Sequence, residues 1–168
     1  KIAQADFTRA VIMEAGAGTG KTATLVGRIL CWAMGRGWNL HLNKLSAQGE
    51  MVDSGRVASV VLERIVAITF TDKAAAEMAE RAATGLFEVH RNSPPVWLNL
   101  ELIECPPEEM AHRAEALLRH VDHLRVTTIH AFCRAILAGN PLEANLHPDF
   151  EVDADGLERE RTVYRVLR

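Results

Sequence analysis

Residues 11–22 read VIMEAGAGTGKT, and this stretch decides how the rest of the chain is interpreted. The apolar run at 11–13 predicts a strand, a glycine-rich turn follows it, and a helix-forming segment starts near Lys21. A strand, a glycine-rich loop ending in Gly-Lys-Thr and a helix, in that order, are typical of nucleoside triphosphate binding. Ala15 stands where the strict pattern has its first glycine, but the flanking segments agree with the pattern.

Each residue of this loop has a physical reason. Gly16, Gly18 and Gly20 let the backbone turn tightly, so that its N–H groups approach phosphate oxygens. The helix that follows adds the positive end of its dipole. Lys21 is expected to reach the β- and γ-phosphates, and Thr22 to place its hydroxyl on Mg²⁺. Lys21 and Thr22 are therefore the predicted catalytic residues, and Thr22 is the predicted metal contact.

The bulk properties suit one ordinary globular domain. The chain has 168 residues and a net charge of −3, so no basic field predicts nucleic acid binding, and any DNA contact must be local. Three cysteines without Cys-x-x-Cys spacing argue against a zinc site and suit a reducing compartment, so a cytoplasmic location is expected. No apolar stretch is long enough to cross a membrane.

The first half of the chain alternates helical and strand-like patterns. Apolar spacing predicts a helix from Lys21 to about Met34, with glycines ending it, and residues 39–60 read as a loop or small insertion. Trp32 and Trp38 are expected to pack rather than to stack on bases. Residues 64–70, RIVAITF, predict a strand covered on both faces, and a helix is predicted at 73–89 after a cap-like turn.

The second half continues the alternation. A helix is predicted to start at Pro107 and to carry an apolar stripe, followed by a strand at 124–129, a helix at 130–137 and a charged helix at 157–168. Cys133 is expected to be a small buried residue. Gln4 has two interpretations, an adenine contact or a solvated terminal residue, and the second is favoured.

Strands that alternate with helices predict an α/β fold with a parallel sheet. Ligands of such sheets bind at the carboxyl ends of the strands. The phosphate loop, residues 69–72 and residues 128–132 each follow a predicted strand. We therefore expect the second and third stretches to lie beside the nucleotide site.

Three stretches of this sequence resemble a known family. AGAGTGKT (15–22), AITFTDKAAAEMAER (67–81) and VTTIHAFCRAIL (126–137) look like motifs I, Ia and Ib of superfamily-1 DNA helicases of the UvrD/Rep type. The TIHAFC form, followed by PLEANLHPDFEVD (141–153), is closer to the RecB/AddA branch of helicase–nuclease subunits for double-strand break repair. The resemblance implies an incomplete RecA-like P-loop NTPase fold, a parallel sheet flanked by helices. Residues 1–138 would be a partial ATP-binding domain 1A, and 139–168 the start of an inserted helical subdomain 1B.

The resemblance also implies roles for single residues. ATP with Mg²⁺ would be bound by the loop residues Ala15, Gly16, Ala17, Gly18, Thr19, Gly20, Lys21 and Thr22. Single-stranded DNA would be lined by the motif Ia residues Thr69, Phe70 and Thr71, with Phe70 stacking or wedging, and by His130 of motif Ib. The alternatives are a Phe70 buried in the core and a His130 that only caps or orients its turn. Asp72 stands where many relatives have Asn, and its carboxylate would repel phosphate.

The residues that complete a motor are missing from this sequence. Hydrolysis needs an acidic pair after a further apolar strand and arginines that neutralise the transition state. Asp153 and Asp155 follow no such strand. The resemblance therefore implies an N-terminal piece of a 3′-to-5′ helicase that acts on single-stranded DNA with partner subunits, and no membrane contact is expected. Because the completing residues are missing, we expect negligible turnover by residues 1–168 alone. The alternative is a stand-alone or degenerate P-loop module without motor activity. A P-loop kinase would leave motifs Ia and Ib unexplained.

Overall fold

The computed structural model describes residues 2–14, 16, 18–49, 52–147 and 150. The chain divides into two compact units, Lys1–Thr127 and Thr128–Arg168. The charged helix predicted at 157–168 and the acidic residues Asp153 and Asp155 lie outside the described residues. The domain boundary at 138/139 stays a prediction.

The described residues form helices and two short strands. The helices are α1 (Ile2–Ala5), α2 (Lys21–Met34), α3 (Arg36–Ala47), α4 (Ser54–Glu63), α5 (Asp72–His90), α6 (Pro107–Arg119) and α7 (Ile129–Gly139), the strands are β1 (Val66–Thr69) and β2 (Arg125–Thr128), and single 3₁₀ turns cover Leu100–Leu102 and Val121–His123.

The α/β class and the parallel pairing are confirmed, because β1 and β2 lie side by side in one two-stranded sheet. The strand predicted at 11–13 is wrong for this structure, since these residues have no regular secondary structure. Val11 is 36% exposed and Ile12 is 92% exposed. A strand exists only through hydrogen bonds to a neighbour, and among the described residues no strand pairs with this segment.

The predicted strand at 64–70 is confirmed as β1, but its predicted cover on both faces is wrong. Val66 remains 42% exposed and Ile68 remains 45% exposed, while Ala67 and Thr69 are half-buried. Successive side chains of a strand point to opposite faces, so Val66 and Ile68 share one face of β1, and that face stays open to solvent in the described part of the chain. The apolar run was correct as a strand signal and misleading as a burial signal.

The loop predicted at 39–60 is also wrong, because α3 and α4 occupy most of it. In α3 the buried residues Trp38, His41 and Leu45 recur at helical spacing. Gly37 hid this pattern, since it lies inside α3 rather than ending a helix. A Cβ there would come within 2.5 Å of the Trp32 indole nitrogen, so glycine provides room for the tryptophan. Asp53 caps the start of α4, because its carboxylate accepts the Arg56 N–H at 2.7 Å.

The helices supply most of the core. α2 contributes five apolar residues that are at most 2% exposed, and α4 and α5 pack their own apolar stripes into the same cluster. The stripe predicted for α6 is confirmed at its centre, where Met110, Ala114 and Leu117 are buried. The packing role predicted for Trp38 is confirmed by its 4% exposure, and Trp32 meets Phe7 edge to face at 5.1 Å. Burial of these stripes, rather than the small sheet, stabilises the first unit.

The predicted starts of α5 and α6 are confirmed. The Thr71 hydroxyl accepts the Ala74 N–H and so caps α5, and Pro107 is the first residue of α6. In the second unit α7 covers the predicted helix at 130–137 and ends at Gly139. None of its residues is buried, and Cys133 is exposed. The prediction that Cys133 is buried is therefore wrong.

Candidate nucleotide and DNA site

The glycine-rich loop has the backbone that its sequence demands. Gly18 has a φ of 75° and Gly20 a φ of 85°, both in the left-handed region that other residues enter at a cost of about 1–2 kcal/mol. A Cβ at either position would meet no atom within 4 Å, so glycine is required by the backbone conformation of the turn and not by a lack of space for a side chain. The loop residues Ala15 and Ala17 lie outside the described residues.

Two side chains donate hydrogen bonds to the same backbone carbonyl of the loop. The Lys21 ammonium donates a hydrogen bond to the Gly16 carbonyl at 3.0 Å, and the Thr19 hydroxyl donates to the same oxygen at 2.8 Å. Lys21 therefore folds back over the loop instead of extending away from it. A phosphate oxygen entering the loop would offer this ammonium a charged acceptor in place of a neutral carbonyl, and charge-assisted hydrogen bonds are about twice as strong.

The loop runs directly into the first turn of α2. Gly20 is the N-cap, and no side chain caps the helix. The first turn carries no acidic residue, so no carboxylate of this turn competes for its N–H groups. Thr22 lies half-buried in that turn. These features leave the positive end of a 14-residue helix facing the loop, which is the arrangement that attracts phosphate groups.

The segment before the loop is fixed to the side of α2. Gln4 is 8% exposed, and its side-chain amide donates to the Trp97 carbonyl at 2.9 Å. Arg28 donates to the Ala3 carbonyl at 3.0 Å and stacks over the Phe7 ring at 4.5 Å from its centroid. The favoured interpretation of Gln4 as a solvated terminal residue is wrong. The contact with the distant Trp97 gave no signal in the sequence.

The turn after β1 uses the hydroxyls of both of its threonines. Thr69 donates to the Thr71 carbonyl at 3.0 Å and lies 3.5 Å from the Thr127 carbonyl of β2. β1 and β2 therefore end side by side, as parallel strands should. The Thr71 hydroxyl accepts from Ala74 and keeps its own proton to donate. Of this pair, Thr71 is thus the better donor to an external phosphate oxygen.

Phe70 lies between these threonines and is 86% exposed. The alternative of a core phenylalanine is wrong for this structure. Large apolar side chains are usually removed from water, and an aromatic ring presented at a strand end is a surface on which a nucleobase can stack. The motif Ia turn therefore consists of an anchored backbone with one projecting ring.

The second unit holds the predicted histidine. Thr128 caps α7, because its hydroxyl accepts the Ala131 N–H at 3.3 Å. His130 lies in the first turn of α7 and is exposed. Because the Thr128 hydroxyl already caps this helix, His130 is not needed as its cap.

An apolar cavity of about 400 Å³ adjoins α2 and β1, and sequence reasoning did not predict it. One wall is α2 with Leu25, Ile29 and Trp32, and the other is residues 64–68. Successive strand residues point to opposite faces, so a cavity that Val66, Ala67 and Ile68 all line extends around the free edge of β1. None of the predicted site residues lines either wall.

The Cys31 thiol of α2 is buried, which raises its pKa to about 11 and keeps it protonated.

Comparisons with known proteins agree with the motifs. The sequence profile of the UvrD/REP helicase N-terminal domain matches residues 1–167. An ATP-dependent helicase/nuclease subunit from Clostridium kluyveri is 32% identical over 145 residues, which are 86% of this chain and 9% of that protein. Proteins of the same name are similar in Thermoanaerobacter sp. (strain X514), with 29% identity over 86% of this chain and 9% of theirs, and in Clostridium botulinum, with 28% over 89% and 9%.

This chain spans about 9% of the length of the curated relatives that it matches. Among the residues that the structure describes, no helix is both long and apolar enough to cross a membrane.

Proposed function

Because the chain belongs to the UvrD/REP helicase N-terminal domain family, we propose that it forms the ATP-binding portion of an ATP-dependent 3′-to-5′ DNA helicase. The relatives named as helicase/nuclease subunits support a motor of the helicase–nuclease type with partner subunits. We propose for it a role in recombination and double-strand break repair. The proposed ligands are ATP and Mg²⁺, and the proposed nucleic acid substrate is single-stranded DNA. Residues 1–138 would then be a partial RecA-like domain 1A, and 139–168 the start of subdomain 1B.

One observation carries the nucleotide part of this proposal. Lys21 is folded over a loop in which Gly18 and Gly20 hold positive φ angles, at the start of α2, which has no side-chain cap. Backbone N–H groups, an ammonium and a helix dipole converge there without a carboxylate in the first turn. Such a site suits the terminal phosphates of ATP, and the Thr22 hydroxyl would provide the ligand for Mg²⁺. That ion would neutralise phosphate charge during transfer.

The DNA part rests on Phe70. Its exposed ring and the anchored threonines on either side suit stacking against an unpaired base, whose π-face is available in every sequence. With a net charge of −3, the chain has no general attraction for the DNA backbone. Stacking and local hydrogen bonds from Thr71 and His130 would therefore carry more of the affinity than charge does.

Binding and turnover test the proposal separately. We expect the 168-residue chain to bind ATP in the presence of Mg²⁺, and to hydrolyse it negligibly with or without single-stranded DNA. Hydrolysis needs an acidic pair after a further apolar strand and arginines that neutralise the transition state, and this sequence has no motif that would supply them. A calorimetric titration with ATP and a phosphate-release assay measure the two properties. Strong DNA-stimulated hydrolysis by this chain would refute the assignment of the missing groups, and no binding at millimolar ATP would refute the nucleotide site.

A further inference from the structure

A buried arginine at the far end of α2 is the charged group for which the proposed function gives no reason. Arg113 of α6 is only 4% exposed. Its guanidinium lies 5.4 Å from the centroid of the Trp38 ring and contacts Glu109 at 2.6 Å. Burying a guanidinium costs several kcal/mol, and an apolar residue of similar volume often serves stability as well. The position therefore invites a role besides stability.

The remaining bonds of Arg113 fix the end of the loop helix. One terminal nitrogen donates to the Met34 carbonyl at 2.8 Å and to the Asn39 side-chain oxygen at 2.9 Å. Met34 is the last residue of α2, and Asn39 lies in α3. Carbonyls in the last turn of a helix have no partner within the helix, so this one is satisfied from α6. Asn39 in turn donates to the Glu104 carbonyl at 3.0 Å.

α2 transmits this constraint to the phosphate loop. Its 14 residues form a rod of about 21 Å, with Lys21 and Thr22 in the turn opposite Met34. A rod that is held at one end against sliding along its axis also keeps the turn at its other end at the same axial position. Functional groups need to be held within about 0.5 Å of their productive positions, so a small slide of α2 would matter. Apolar contacts along α2 resist separation from the core, but they direct a slide along the axis less strictly than hydrogen bonds do.

From this arrangement we infer that Arg113 is a positioning residue for the nucleotide site, acting through the C-terminal carbonyl of α2. The inference rests on the proposed ATP site at the loop. It assigns a binding effect to a residue that touches neither the loop nor the nucleotide. Arg113→Met removes all of its side-chain hydrogen bonds, and Arg113→Lys keeps the positive charge and a single donor group.

The test compares nucleotide affinity with stability in the same variants. Urea unfolding gives stability, and a titration with ATP and Mg²⁺ gives the dissociation constant for each folded variant. The control is Val57→Ala, which opens a cavity in α4 at a residue that is 1% exposed and so costs stability while keeping the hydrogen bonds of Arg113. We expect Arg113→Met to weaken ATP binding by about fivefold or more, Arg113→Lys by less, and the control by under about twofold.

Each outcome of this experiment supports or overturns the role of Arg113. If Arg113→Met and Val57→Ala change affinity equally, Arg113 is only structural and the inference is overturned. If Arg113→Met does not fold, Asn39→Ala decides, because Asn39 accepts from the same guanidinium nitrogen that donates to the Met34 carbonyl and so holds that nitrogen in place. We then expect affinity to fall about threefold, and no change overturns the inference. If the unaltered chain binds no ATP, the proposed function fails and this inference fails with it. If Lys21→Ala loses ATP binding but the Arg113 and Asn39 variants bind as the unaltered chain does, only the inference is overturned.

Discussion

Replacing Phe70 by alanine should weaken the binding of single-stranded DNA without unfolding the chain. The ring is 86% exposed, so its removal opens no cavity, and the free energy of unfolding should change by no more than about 0.5 kcal/mol. One base stacked on an aromatic ring contributes about 1–3 kcal/mol. At about 1.4 kcal/mol per tenfold, the dissociation constant should rise between about 5-fold and about 140-fold.

Fluorescence anisotropy with a labelled oligothymidylate measures this change. Phe87→Ala is the matched control, since Phe87 is also an exposed phenylalanine, at 52%, but lies within α5. Phe70 carries no charge, so the dependence of affinity on salt should keep its slope in Phe70→Ala. An equal loss in both variants, a changed salt slope or no DNA binding by the unaltered chain would refute the reasoning.

Three further predictions concern local features of the structure. Thr71→Ala removes the cap that accepts the Ala74 N–H, so urea unfolding should show a loss of about 1 kcal/mol, and Thr71→Ser should restore most of it. A thiol reagent should label the exposed Cys133 at once, but Cys31 only after unfolding, because burial raises the Cys31 pKa to about 11; equal rates in the folded chain would contradict this. Burial lowers the pKa of His41, so its folded pKa lies below its unfolded value near 6.5. The unfolded chain therefore takes up the proton first, and stability should fall as pH falls below about 6.5, with a shallower fall in His41→Gln.

The elements with local signals were predictable from the sequence. The sequence indicates α5 and α6 by their apolar spacing, by the cap at Thr71 and by Pro107 at the first position of α6, which are signals within one turn of the chain. The glycines with positive φ follow from the loop motif, because local geometry alone demands them. These features are short-range, and a single sequence contains what determines them.

Features that depend on distant partners were not predictable. The strand expected at 11–13 needs a neighbour to become a strand, and its apolar residues cannot report whether one is present. Gln4 is buried by its bond to Trp97, 93 positions away, which no spacing rule reveals. α3 was missed because Gly37 reads as a helix end until the position of the Trp32 indole is known. In each case tertiary contacts outweighed local preference.

The central claim is that the loop at the start of α2 binds the terminal phosphates of ATP, and Lys21→Ala tests it most directly. Lys44→Ala is the control, because it removes an exposed lysine of α3 and lowers the net charge equally. Calorimetric titration with ATP and Mg²⁺ should show affinity reduced by about tenfold or more in Lys21→Ala, as expected for a lost charge-assisted contact of about 1.5–3 kcal/mol, and little change in Lys44→Ala. Equal affinities in the unaltered chain and in Lys21→Ala would contradict the account.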